Sequence, residues 1–143
     1  MTIAVDFDGT IVEDKYPDIG AERPFATETL RMLIKEQHRL ILWSVREGDS
    51  LEEAVKWCRE RGVEFYAVNK DYPEEKMEWN NHFSRKLKVD LFIDDRNIGG
   101  LPDWGQIYHM INDGTNFADL IREARRRNMD DHEAPKKKHW WQF

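Results

Sequence analysis

Thr2-Ile-Ala-Val-Asp-Phe7 is an apolar run broken by one acid and followed at once by Asp8-Gly9-Thr10. A short run without strict polar alternation reads as a strand covered on both faces. Such a strand needs helical layers above and below it, so the chain should alternate strands and helices. Residues 14 to 23 hold Pro17, Gly20 and mixed charges and read as a loop, after which Pro24 suits the first turn of a helix. Leu30, Leu33 and Ile34 continue that helix at spacings of three and four. Arg39 to Trp43 is the second strand. Ser50 and Glu53 have the spacing of a capping box for a helix carrying Leu51, Ala54, Val55 and Cys58 on one face and closed by Gly62. Residues 63–68 read as a third strand, 88–93 as a fourth and 106–111 as a short fifth. Phe117, Leu120, Ile121 and Ala124 mark a last helix ending near Asn128.

This order predicts an α/β fold: a three-layer α/β/α sandwich around a mainly parallel, Rossmann-like sheet joined by right-handed crossovers. Residues 1–128 form the expected core, and 129–143 an expected tail, loosely structured or packed on the core or a partner. At 143 residues, 40% hydrophobic and 35% charged, the chain can build a core without disulfides. Its 22 Lys+Arg against 28 Asp+Glu give a net charge of −6, which disfavours a general binder of nucleic acid or anionic membrane. The single Cys58 fits a reducing compartment. With no basic n-region, apolar h-region or span of ~20 apolar residues, the expected location is the cytoplasm.

In parallel α/β sheets chemistry gathers beyond the carboxyl ends of the strands. Here those ends carry Asp6 and Asp8, then Ser44, then Asp94 and Asp95. Asp6 and Asp8 stand two apart, so strand periodicity sends both the same way. Two like charges 4 Å apart repel by about 4 kcal/mol at an effective dielectric of 20, so an acidic cluster needs an offsetting charge. Oxygen donors alone suit a hard cation such as Mg²⁺. None of the five histidines has zinc-like spacing to another or to Cys58.

Asp6-Phe-Asp8-Gly9-Thr10 resembles the first motif of the haloacid dehalogenase-like (HAD) superfamily of phosphohydrolases. Ser44 after the second strand resembles its second motif. Lys86-Leu-Lys-Val-Asp90-Leu-Phe-Ile-Asp94-Asp95-Arg96 resembles its lysine and acidic motifs. The resemblance runs from residue 2 to about 125. It implies a Mg²⁺-dependent phosphohydrolase in which Asp6 is the nucleophile and forms an aspartyl-phosphate, while Asp8 is the general acid and then the general base. Mg²⁺ would be held by Asp6, the Asp8 backbone carbonyl, Asp94 and Asp95. Ser44, the N–H groups after it at Val45 and Arg46, and those near Gly9 and Thr10 would bind the phosphoryl oxygens. Lys86 would neutralise the transferring group, with Lys88 and Lys70 as competitors; the proline common after that lysine is Leu87 here. Arg46 and Arg96 either contact substrate or pair with nearby acids.

Other readings stand beside these. The acids could be caps and solvated strand ends, or a receiver-domain site, although there the acidic pair comes near the first strand. Cys58 reads as core, as do Trp43 and Trp57. Trp79 and Trp104 read as loop residues that pack or line a pocket. Arg122 to Arg127 reads as a solvated helix face. The basic and aromatic stretch from Lys136 to Phe143 either touches nucleic acid or a partner or frays. Neither the residues before the first helix nor those between Val68 and Lys86 suffice for a folded cap. The resemblance therefore implies a capless site, covered by a large phosphorylated substrate or by a second copy acting as a lid. A non-catalytic or regulatory HAD-like protein that binds phosphate or a partner is the alternative function.

Overall fold

The computed structural model describes residues 1–76, 86–115, 118–119 and 121–129. Four strands, β1 (Thr2–Val5), β2 (Arg39–Leu42), β3 (Ala67–Val68) and β4 (Leu91–Ile93), form an all-parallel sheet in the order β3-β2-β1-β4. Helices α1 (Ala26–Lys35), α2 (Gly48–Glu60) and α3 (Trp104–Asp113) complete the named elements. The architecture is the predicted α/β class, a parallel Rossmann-like sheet flanked by helices. The chain divides into two units, Met1–Gly105 and Gln106–Phe143, and the division falls inside the span expected to be one core. No helix among the described residues is long and apolar enough to cross a membrane.

β1 and β2 are buried along nearly their whole length, as unbroken apolar runs require. Ala4, Ile41 and Ala67 are aligned across three strands and share one packed cluster with Leu87. Because neighbouring residues on an extended chain face opposite ways, Leu87 and Val89 turn to this cluster, whereas Lys86 and Lys88 are exposed. β1 continues on one side to β2 and β3, and the chain returns on its other side as β4. The topological switch point therefore lies between β1 and β4, where crevices form in such sheets.

Several local expectations are corrected. Residues 106–111 belong to α3, not to a fifth strand; Trp104, Ile107 and Ile111 are buried at helical spacing. β3 and β4 are shorter than 63–68 and 88–93. α1 starts at Ala26, because the Glu22 carboxylate accepts the Thr27 N–H at 2.9 Å and also the Thr27 hydroxyl, capping the helix from outside. Ser50 and Glu53 form no capping box. α2 already begins at Gly48, and the Ser50 hydroxyl donates to the Glu47 carbonyl at 2.8 Å. Gly62, at φ +81°, closes α2 as predicted: its N–H donates to the Arg59 carbonyl and that of Val63 to the Cys58 carbonyl. Cys58 is buried, which pushes its thiol up to about 12, as befits a core side chain. Trp43 and Trp57 are half-buried, and Phe7 meets Trp57 edge to face at 5.7 Å. Residues 121–129 are helical with Ile121 and Ala124 exposed, and the helix passes through Asn128. Phe117, Leu120, Trp79 and residues 130–143, which include the Lys136–Phe143 stretch, lie outside the described residues.

Trp104 is packed rather than pocket-lining. It is 1% exposed and its indole N–H donates to the Thr10 carbonyl at 3.0 Å. Trp104→Phe leaves that buried carbonyl without its donor, and the expected cost is about 1–3 kcal/mol of stability. Urea unfolding of the variant against the wild type measures it, and an unchanged midpoint would rule out this bond as a structural anchor.

Candidate functional site

The acids predicted from the strand ends converge. Asp6 follows β1, its N–H donating to the Ile93 carbonyl at 2.9 Å, and Asp94 and Asp95 follow β4. One carboxylate oxygen from each of Asp6, Asp94 and Asp95 lies within 4.8 Å of the others. Thr10 ties the two strand ends together. Its hydroxyl donates to Asp6 Oδ2 at 3.0 Å, and its oxygen accepts the Asp95 N–H at 3.0 Å. Gly9 lies at φ +86°, where a Cβ would stand 2.3 Å from Asp95 Oδ2, so only glycine lets the loop pass this close.

This crowding shows in the chemistry of Asp6. Its carboxyl is pushed from 3.8 up to about 8, first by burial, then by the charge of Asp94, a hydrogen bond with Asp95 and that residue's charge, while the Thr10 hydroxyl pulls the other way. A site that buries one carboxyl and sets two more acids beside it is suited to a cation. Three carboxylates offer the oxygen donors that a hard divalent ion prefers.

Asp8 has a different fate. Its carboxylate is gripped by the Arg46 guanidinium, Nε to Oδ2 at 2.7 Å and NH2 to Oδ1 at 2.8 Å. The metal role expected for Asp8 concerns its backbone carbonyl, which this side-chain pairing does not involve. Arg46 is 1% exposed, and its pairing with Asp8 raises its own pKa further. Of the two expectations for Arg46, pairing with an acid is the one the geometry shows, in a buried rather than a surface setting.

The phosphate-binding expectations are altered too. Thr10 is fully buried, the Gly9 N–H donates to the Val12 carbonyl at 2.7 Å, and the Thr10 N–H donates to the Phe7 carbonyl at 3.2 Å. These bonds commit both N–H groups to the loop itself. The Ser44 hydroxyl oxygen accepts the Arg46 N–H at 3.1 Å, and the Ser44 N–H donates to Asn69 Oδ1 at 2.8 Å. A hydroxyl that accepts there keeps its proton to donate. A cavity of about 430 Å³ is lined by Asp6, Asp8, Ser44, Val45 and Asp94 from the predicted set, with Asp14, Tyr16, Trp43 and Arg96. Lys86, Lys88 and Lys70 do not line it. The Lys86 ammonium instead lies 5.9 Å from the Phe92 ring centroid, and the Lys88 N–H donates to Asp71 Oδ1 at 2.7 Å.

A solved structure of a conserved protein from Bacteroides thetaiotaomicron is 68% identical to this chain. The match covers 84% of this chain and 96% of that one, with a TM-score of 0.75. The chain belongs to the family of that conserved Bacteroides protein. A Bacillus cereus protein named "Putative nucleotidase" is 33% identical over 92 residues, 61% of this chain. This member of the Bacteroides protein's family spans 46% of the Bacillus protein's length. No family model matches the sequence.

Sequence reasoning passed over Asn69, Asp14 and Tyr16. Asn69 carried a readable signal, since an Asn just past a strand tolerates the left-handed backbone it adopts at φ +55°. Asp14 and Tyr16 sit in a loop whose path no periodicity reveals.

The Asp6 shift sets a pH dependence. In the fold Asp6 keeps its proton up to about pH 8, whereas unfolded it releases it near 3.8. Across that window the native state binds more protons, so stability falls as pH rises. With divalent cations chelated, thermal melts from pH 5 to 8 should show this decline, and Asp6→Asn should flatten it. An equal decline in the variant would assign the effect to other groups.

Proposed function

We propose that this chain is a Mg²⁺-dependent phosphohydrolase of the HAD superfamily that cleaves phosphate monoesters through an aspartyl-phosphate on Asp6. The observation that carries this reading is the clustering of Asp6, Asp94 and Asp95 at the switch point of the sheet, beside a cavity that also presents Asp8 and Ser44. The name of the Bacillus cereus relative supports a nucleoside phosphate as the substrate class.

Asp6, Asp94, Asp95 and the Asp8 carbonyl would hold the metal. When bound, Mg²⁺ supplies the positive charge that lets an anionic Asp6 coexist with a phosphate dianion. The Asp6 carboxylate attacks phosphorus and the P–O bond to the leaving group breaks. Asp8 protonates the departing oxygen and then takes a proton from the water that hydrolyses the aspartyl-phosphate. The Ser44 hydroxyl donates to a phosphoryl oxygen. Lys86 takes no step in this scheme, because its ammonium lies over the Phe92 ring and it is not among the residues lining the cavity.

The test is a panel of phosphate monoesters, p-nitrophenyl phosphate and nucleoside 5′-monophosphates among them, assayed with Mg²⁺ and with chelator. Wild-type turnover should require the metal, and Asp6→Asn should lower it on the order of a thousandfold or more. Hydrolysis surviving in Asp6→Asn would remove Asp6 as nucleophile. Phosphate binding without turnover of any ester would favour the non-catalytic reading.

A further inference from the structure

Arg46 is used more completely than an ordinary ion pair requires. A guanidinium has five N–H donors. Nε and NH2 each give one to Asp8; NH1 donates to the carbonyls of Pro17 at 3.2 Å and Ser50 at 3.3 Å; NH2 donates also to the carbonyl of Asp18 at 2.9 Å. Its Cζ lies 5.2 Å from the ring centroids of both Phe7 and Tyr16. No donor remains for a phosphoryl oxygen, and the side chain is wholly buried. Tyr16, at 59% exposure, and Asp8 both line the cavity, and Pro17 and Asp18 immediately follow Tyr16. One buried cation therefore fixes the Asp8 carboxylate and the loop that walls the cavity.

We infer that Arg46 is a positioning residue that aims Asp8 at the leaving-group oxygen and sets it in register with the Tyr16–Asp18 loop against which the leaving group rests. The inference rests on the proposed phosphohydrolase function, in which Asp8 gives a proton to the leaving group and regains one from the hydrolytic water; each oxygen in the fork keeps a second lone-pair site to carry it. A lysine keeps the charge at this position but lacks the planar fork that grips both carboxylate oxygens.

Leaving-group dependence separates aiming from mere support of the fold. An alkoxide needs the proton as it departs, whereas p-nitrophenolate leaves well without it. General acid catalysis is typically worth a factor of 10²–10⁴. The experiment compares an alkyl phosphate, glycerol 2-phosphate, with p-nitrophenyl phosphate for the wild type, Arg46→Lys and Arg46→Met, all with Mg²⁺. It is read as kcat/KM, which covers the steps through phosphorylation of Asp6 and excludes the hydrolysis common to both esters. Arg46→Lys should lose about a hundredfold on the alkyl ester and less than about fivefold on the aryl ester. In an Asp8→Asn background, Arg46→Lys should add no further loss on the alkyl ester, since its effect runs through Asp8. If Arg46→Met does not fold, as judged by circular dichroism, the lysine variant and the Asp8→Asn cycle decide alone. Equal losses on both esters, or additive losses in the cycle, overturn the positioning role while leaving the phosphohydrolase reading intact. A wild type that hydrolyses neither of these esters nor any nucleoside 5′-monophosphate overturns both.

Discussion

The repulsion among Asp6, Asp94 and Asp95 is the constraint to which the surrounding structure answers. Their oxygens lie within 4.8 Å, at the ends of two strands whose pairing fixes the separation. Side chains on a loose loop would relax apart. These do not, because Val5 and Ile93 are aligned partners, the Asp6 N–H is bonded to the Ile93 carbonyl, and Thr10 bridges Asp6 to the Asp95 amide. Behind Thr10 stands Trp104, whose indole holds the Thr10 carbonyl. The missing Cβ of Gly9 makes room for Asp95. The sheet ladder and this short relay hold the charges together against their own field, which leaves them ready for an external cation.

Four acids at two strand ends thus acquire two characters. Asp8 is paired with a buried arginine that satisfies both of its oxygens, while Asp6 is pushed toward the neutral form by burial and by other acids. Arg46 is aimed at Asp8 and not at the other three. That choice gives Asp8 a fixed orientation.

The buried strands and the acids after them were legible because both signals are local: an unbroken apolar run, then a carboxylate at the strand end. The α3 segment was misread for a matching reason. Gln106 to Ile111 is too short to separate a strand from a buried helix turn by periodicity, and the decisive anchor, Trp104, lies outside that window. The partnership of Arg46 with Asp8 spans 38 positions in sequence, and that of Thr10 with Asp95 spans 85, so neither leaves a local pattern. Gly9 and Thr10 stand out in sequence as phosphate-binding candidates, whereas the bonds they make, to Val12, Phe7, Asp6 and Asp95, run within the loop and to the acids. Motif spacing points to Lys86, whereas its ammonium lies over the Phe92 ring and the residue is not among those lining the cavity.

On the proposed function, the cavity itself has a consequence for selectivity. Its wall includes Val45, 87% exposed, and Tyr16, 59% exposed, alongside half-buried Trp43. Between β1 and α1 the chain forms a loop, not a cap, and among the described residues Val45 and Tyr16 stand exposed at the cavity. Water exclusion strengthens every electrostatic interaction at the acids. An ester whose leaving group lies across Tyr16, Trp43 and Val45 would supply that exclusion with its own apolar surface. A small polar leaving group would leave the site wet. Binding energy remote from the phosphorus would then appear in turnover as well as in affinity, because the loop that contacts the leaving group is anchored by the guanidinium that orients Asp8. Selection and proton delivery share one support, which compensates in part for the absence of a folded cap between β1 and α1.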